Sequence, residues 1–297
     1  MDTAFVVFGP HYFPIRARRV VMGYADVTSL YPPTSTLGRR ERLRLRVRTL
    51  LSRRTVARAD HVIVETSALA DRVRGITSQQ DISVVPNSIN RAITVRPRRD
   101  GLPNRSELLL AYVTRPYPHK NLEFLPAVSL AAAKRGLKIT FLVTLRADEW
   151  EMRSPEFRRS CINVGEVSVS ELADFYQRAD GSFFPSLLEA QSATPLEAMA
   201  LGLPLFASDR DFNRAVCNES AWYFDPHDAN DAADRIVEAL ADPQQVRVKQ
   251  ELGLATIRRL PTAADRAERV MQILQATSPS GRSHDMKAGP RRGLLRR

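Results

Sequence analysis

Phe184–Asp209, FPSLLEAQSATPLEAMALGLPLFASD, is the stretch on which the reading of this chain turns. A β-like run, GSFFPS, leads into a loop carrying Glu189, and a second apolar run follows at Pro204–Ala207. Between them a helix is predicted to open at Thr194 and end at Gly202. Thr194-Pro195-Leu196-Glu197 has the form of a capping box with proline at the first helical position. Glu189, on a strand-to-helix loop, and Glu197, at a helix N-terminus, sit where open α/β sheets bind ligands. The capping box supplies a complete local explanation for Glu197. Glu189 has none, so a solvated loop carboxylate and a ligand contact both stay open for it.

The residues around this stretch extend the same pattern. Leu108–Val113 reads as a fully buried strand, Asn121–Arg135 as a helix and Lys138–Val143 as the next strand. Arg146–Arg159 is a polar excursion, Ile162–Val164 a brief strand, and Ser168–Glu171 a capping box opening a helix to Ala179. Downstream lie a short helix at Asp211–Val216, a strand at Trp222–Phe224, and helices at Asp228–Leu240, Gln244–Leu260 and Ala263–Ala276. Such alternation predicts a doubly wound α/β domain over 107–277. Within it, YVTRPYPHKN (Tyr112–Asn121) places Arg115 and Lys120 on either side of a rigid Pro116–Pro118 loop. Two cations beside a helix N-terminus suit a diphosphate; an ordinary basic surface loop is the other reading. His119 reads as a loop residue rather than a catalyst.

Residues 1–95 form a smaller α/β unit. Ala4–Phe8 reads as a buried strand and Val20–Tyr24 as another, with no Gly-rich turn between them. Either this domain is unusually small or its first units are missing. His61–Val64, a helix at Thr66–Val73 and Ile82–Val85 before Pro86-Asn87 imply further parallel units. Leu37–Arg58 carries nine arginines between Arg39 and Arg58. Leu43, Val47, Leu50, Leu51 and Arg54 share one helical face there. That pattern fits a surface helix packing its apolar stripe on its own sheet, or a basic amphipathic helix on an anionic membrane. Pro-, Gly- and Arg-rich residues mark a linker at 96–106, and 278–297 reads as a basic disordered tail.

Composition bounds the possibilities. The chain has 297 residues, 43% of them hydrophobic, and a net charge of +11, which favours an anionic partner. Cys161 and Cys217 match no metal-ligand spacing and read as reduced thiols, a cytosolic signature. No metal or cofactor is called for. No apolar run is long enough to span a bilayer. The basic residues gather on one helix and the tail without aromatic platforms, which argues against nucleic acid.

Taken together, these segments resemble a family-4 (group 1) retaining glycosyltransferase of the GT-B fold. The resemblance is carried by ADHVIVETSALADRV with ISVVPNSIN, by LAYVTRPYPHKNLEFL, by the Glu–seven residues–Glu stretch, and by WYFDP at Trp222–Pro226. It covers roughly residues 55–275. It implies two Rossmann-like domains, the N-terminal one incomplete at its start, and a nucleotide-diphospho-sugar as donor. By resemblance, Arg115 and Lys120 hold the donor diphosphate and Glu189 contacts sugar hydroxyls. Glu197 bonds the ribose, and the loop at Gln191, Ser192, Ala193 and Thr194 approaches sugar and phosphate. The implied reaction retains anomeric configuration, needs no metal, and uses the leaving diphosphate to help deprotonate the acceptor.

Three departures accompany it. Ala190-Gln191-Ser192-Ala193 stands where the family often has Gly-Phe-Gly. Ala25-Asp26 replaces a His-Asp pair, leaving Asp26 as the acceptor-side candidate. The family's Gly-rich turn is not found. The expectation is a hexosyltransferase, mannosyl and deoxyhexosyl among the candidates, acting on a glycan or lipid-linked acceptor at the cytoplasmic membrane face. The alternative is a truncated, non-catalytic homologue that only binds a nucleotide sugar.

Overall fold

The structure, a computed structural model, describes residues 2–11, 13–31, 38–78, 81–90, 93, 101–103 and 105–276. Most of the expected 96–106 linker and the whole 278–297 tail lie outside the described residues.

The first half runs β1 (Thr3–Gly9), β2 (Arg19–Tyr24), α1 (Arg39–Arg58), β3 (His61–Val64), α2 (Ser67–Ile76) and β4 (Ile82–Val84). The second half begins with β5 (Glu107–Tyr112), α3 (Leu125–Ala133), β6 (Lys138–Val143), α4 (Ala147–Glu151), α5 (Pro155–Ser160) and β7 (Cys161–Asn163). It continues with α6 (Leu172–Gln177), β8 (Gly181–Phe184), α7 (Ala193–Ala200), β9 (Leu205–Ser208), α8 (Asp211–Cys217) and β10 (Ala221–Phe224). Three helices close it: α9 (Ala229–Ala241), α10 (Pro243–Arg258) and α11 (Ala263–Gln275).

These strands make two sheets, β1-β2-β3-β4 and β10-β9-β8-β5-β6-β7, and every pairing is parallel. Parallel strands need a crossover between neighbours; a helix supplies it for each pair except β1 and β2, which follow one another with no helix among the described residues between them. In the larger sheet the chain starts at β5, moves out to β7, then returns to lay β8 against the other side of β5. The loops after β5 and β8 therefore leave the sheet side by side in opposite winding directions. This is the crevice where open α/β sheets take ligands. Its strands are buried on both faces: all of β8 and β9 are solvent-free, as layered α/β sheets require.

Helix α7 ends as its sequence dictates. Gly202 takes the left-handed backbone, φ 67°, and its N–H bonds the carbonyl of Met199 while Leu203 N–H bonds that of Ala198. This satisfies the orphan carbonyls of the last turn. Helix α10 then lies across α7. Gly253 lets it approach, since a Cβ there would meet Met199 Cγ at 3.1 Å, and Gln250 Nε2 donates to Gly202 O at 2.6 Å.

Several local expectations change. Ala4–Phe8, expected as a buried strand, lies at a sheet edge with one neighbour, and Phe5, Val7 and Phe8 are exposed. Arg146–Arg159 contains two short helices, the second capped by Ser154 Oγ accepting from Phe157 N–H. Glu171 does accept from Ser168 N–H at 3.0 Å, yet α6 begins only at Leu172, after a turn. The apolar stripe of α1 does not pack on its sheet; that helix buries Ser52 and Val56 instead. Helix α11, assigned in sequence to the second domain, lays Ile273 with Val270 and Leu274 on Val21, Ile63 and Val85 of the first sheet. Arg19 Nη1 donates to Ile273 O at 2.7 Å, a cation at a helix C-terminus.

Replacing Gly202 by alanine forces a Cβ into left-handed backbone. It is expected to lower the unfolding free energy by about 1–2 kcal/mol, read as a lower urea midpoint at unchanged slope.

Candidate functional site

Where β5 ends, Tyr112 is fully buried, and its hydroxyl donates to Lys120 O at 2.7 Å and lies 3.3 Å from Ser186 Oγ. The loop that follows is not the start of a helix, as expected at Asn121. It makes 3-10 turns at Pro118–Lys120 and Leu122–Phe124 around Asn121, whose φ is 56°. Asparagine tolerates that backbone, and its amide ties neighbouring loops together, Nδ2 donating to Pro226 O at 2.9 Å and Pro185 O at 3.3 Å. Leu187 N–H bonds His119 O at 2.7 Å. The β5, β8 and β10 loops are thus laced into one surface.

At its centre Lys120 Nζ meets Glu189 Oε1 at 2.6 Å, with only 16% and 13% of the two side chains exposed. Residues 69 apart in sequence meet because β8 returns beside β5. A largely desolvated pair such as this is held by excellent geometry rather than by net stabilisation. It offers a cation and a carboxylate that an anionic, hydroxylated ligand can partition between. His119 stacks on Tyr117 with centroids 5.6 Å apart, and burial lowers its pKa.

Arg115 turns the other way. Its Nη1 donates to Glu149 Oε2 at 3.3 Å and its Nη2 to Glu166. Hydrogen bonding to Glu166 raises its pKa. The two loop cations expected to act together therefore have different carboxylate partners, Lys120 toward the β8 loop and Arg115 toward the β6 and β7 side.

The capping box at Thr194 is not formed. Helix α7 begins one residue earlier, at Ala193, with Ser192 flanking it and making no side-chain cap. Thr194 lies inside the first turn and its hydroxyl donates to Val113 O at 3.3 Å. Glu197, freed from the local role, is buried, and its Oε2 accepts from Tyr176 Oη at 3.0 Å. Burial pushes the Glu197 carboxyl up, and the Tyr176 hydrogen bond partly offsets it. The same burial and the neighbouring carboxylate push Tyr176 well above the usual phenol range. Tyr176 was missed in sequence: it comes from α6, and no local spacing links it to Glu197.

The β8 loop also meets the first sheet's domain. Asn87 N–H donates to Gln191 Oε1 at 2.7 Å, and Ala190 packs against the core cluster of Met22, Tyr24, Val62 and Leu69. A second contact joins Asp211, at the start of α8, to Arg72 Nε at 2.7 Å and Tyr31 Oη at 3.0 Å. Asp26, the acceptor-side candidate, is buried with its oxygens occupied: it accepts from Thr28, Ser29 and Arg48 at 2.6, 2.6 and 2.9 Å. These bonds tie α1 to the turn after β2. Among the described residues no group of three or more His, Cys, Asp or Glu side chains is arranged to hold a metal.

The family model described as "Glycosyl transferases group 1" matches residues 151–252, which contain the Glu189–Glu197 stretch. The O-antigen chain mannosyltransferase RfbU of Salmonella typhimurium is 24% identical over 78% of this chain and 64% of its own length. The chain thus spans less than two thirds of that relative. Sucrose-phosphate synthase from Thermosynechococcus elongatus superimposes with TM-score 0.69 at 23% identity, over 86% of this chain and 67% of that one. Anabaena HepE, solved with UDP and glucose, gives 0.65 at 15% identity, over 86% and 71%. About a third of the chain thus matches the group 1 glycosyl transferase model, and the chain has the GT-B fold.

Proposed function

We propose that this chain transfers a hexosyl group, mannosyl first among the candidates, from a nucleotide-diphospho-sugar to a glycan or lipid-linked acceptor in polysaccharide or glycolipid synthesis. The observation that carries the reading is the Lys120–Glu189 pair at the switch point of the larger sheet. The mannosyltransferase named above and a neighbour holding UDP and glucose support the choice of substrates.

In this reading Lys120 exchanges Glu189 for a donor phosphate oxygen, and the released carboxylate accepts from sugar hydroxyls. As the bond between sugar C1 and phosphate oxygen breaks, charge builds on the diphosphate, and a fixed ammonium stabilises it most at that moment. Arg115 adds a second cation by exchanging Glu149 and Glu166 for the diphosphate. Glu197 accepts from a ribose hydroxyl, with Tyr176 fixing its carboxylate from behind. Transfer proceeds with retention and without a metal. The diphosphate takes up the acceptor proton.

Lys120→Ala removes a charge-assisted contact worth about 1.5–3 kcal/mol. Affinity for the nucleoside diphosphate is expected to fall on the order of tenfold to a hundredfold by calorimetry; equal affinity removes Lys120 from the site. Glu189→Ala is expected to abolish transfer from a panel of GDP- and UDP-hexoses while the circular dichroism spectrum stays unchanged. Binding without transfer in the parent chain would leave a nucleotide-sugar-binding homologue.

Glu197 supplies a pH signature. Its pKa is raised by burial and lowered by Tyr176, so binding that needs the carboxylate weakens as pH falls through the raised value. Tyr176→Phe removes the lowering contribution. The acid limb of nucleoside diphosphate binding is then expected to move to higher pH, and an unmoved limb would separate Tyr176 from Glu197 in function.

Helix α1 supports placement on a membrane surface. Leu43, Val47, Leu50 and Leu51 are 63%, 49%, 50% and 40% exposed, amid its nine arginines. An apolar stripe bordered by cations suits the interface of an anionic bilayer. No described helix is long and apolar enough to cross one. Sedimentation with phosphatidylglycerol vesicles, but not with phosphatidylcholine vesicles, is expected, and Leu43→Glu with Leu50→Glu should abolish it.

A further inference from the structure

The loop joining Glu189 to α7 is held from the other domain. Gln191 Oε1 accepts the N–H of Asn87 at 2.7 Å. The preceding carbonyl, Ala190 O, accepts from Thr66 Oγ1 at 3.5 Å. The Ala190 methyl packs against the core between β2, α1 and α2. Thr66 and Asn87 both lie where strands of the first sheet end, Thr66 being also the N-cap of α2. Successive residues of one loop therefore use a backbone carbonyl, a methyl and an amide side chain on a domain to which that loop does not belong.

We propose that Gln191 is a positioning residue: its bond to Asn87 holds the Glu189 loop in the conformation that Lys120 pairs with, so docking of the first domain orders the donor side. Three points support this. Glu189 is two residues from Gln191 and has no cap or helix of its own to fix it. Its partner Lys120 is fixed by Tyr112, whose hydroxyl donates to Lys120 O. Leu187 N–H on His119 O anchors the near end of the Glu189 loop, so the stretch left to be held is the one between Leu187 and α7, where Gln191 sits. Finally, the Asp211–Arg72–Tyr31 contact holds the domains together elsewhere, so loosening Gln191 frees the loop without separating the domains. The part of the proposal that concerns turnover rests on the transferase reading above; the ordering of the loop does not.

The test compares the full chain with Gln191→Ala and Gln191→Glu. Glutamate keeps an acceptor for Asn87 N–H and alanine does not. Hydrogen exchange resolved at residues 87 and 189–192 is expected to quicken about tenfold or more in Gln191→Ala, as for an amide that has lost its bond, and to return to parent rates in Gln191→Glu. Transfer from the active nucleotide sugar is expected to fall on the order of tenfold to a hundredfold in kcat for alanine, with affinity for GDP or UDP within about twofold and recovery in the glutamate variant. Unchanged exchange in Gln191→Ala overturns the latch. Quickened exchange with parent-like kcat overturns the positioning role, as does loss of GDP and UDP binding in alanine at an unchanged melting temperature, which would make Gln191 a direct donor contact. Absence of transfer in the parent overturns the transferase reading alone, and the exchange comparison still decides the latch.

Discussion

The contact on which the site depends is the side-by-side exit of two loops from strands β5 and β8. Because the larger sheet starts at β5 and later lays β8 beside it, the loop with Lys120 and the loop with Glu189 share a crevice. Backbone and side-chain bonds then lace them: Leu187 to His119, Asn121 to Pro185 and Pro226, Tyr112 to Lys120. The ammonium–carboxylate contact at 2.6 Å is the outcome of that lacing. With so little of either side chain exposed, each charge is costly alone and tolerable as a pair. Such a pair is therefore ready to be exchanged for a ligand that brings both a phosphate and hydroxyls.

Burial decides the character of the second glutamate. Glu197 sits in a helical turn that is buried throughout from Thr194 to Met199, beneath the same crevice. Desolvation raises its pKa and Tyr176 opposes that. One carboxylate is thus paired with an ammonium, and the other is set by desolvation and a phenol. That division follows from the partners: the β5 loop brings Lys120 to Glu189, while α6 supplies Tyr176 to Glu197.

The first sheet's domain does more than cap the crevice. Helix α11 crosses back to pack on it, Asp211 meets Arg72 and Tyr31, and the β8 loop is grasped at Ala190 and Gln191. Asp26, by contrast, faces inward to Arg48, Thr28 and Ser29 and serves the attachment of α1. The basic helix is held by Val56, Ser52 and the Arg48–Asp26 pair, leaving Leu43, Leu50 and Leu51 in solvent.

The alternation of buried apolar runs with 3.6-period helices was enough to specify parallel α/β sheets, and Lys138–Val143 and His61–Val64 are strands over those very residues. Gly202 ends α7 where the sequence places it, because left-handed backbone is a local property. Glu189 and Lys120 were legible as functional candidates from their loops alone. Where local pattern and long-range contact compete, the local reading fails. The Thr194 box gives way because Val113 O takes the threonine hydroxyl and Tyr176 takes the glutamate. The stripe on α1 stays exposed because the helix docks through Ser52, Val56 and the Arg48–Asp26 pair. Helix type and strand period depend on neighbours a few residues apart, so the sequence by itself determined them. Which side chains share a hydrogen bond depends on strand order and domain docking, across separations of 69 residues for Lys120–Glu189 and 104 for Asn87–Gln191, and only the tertiary structure decided that.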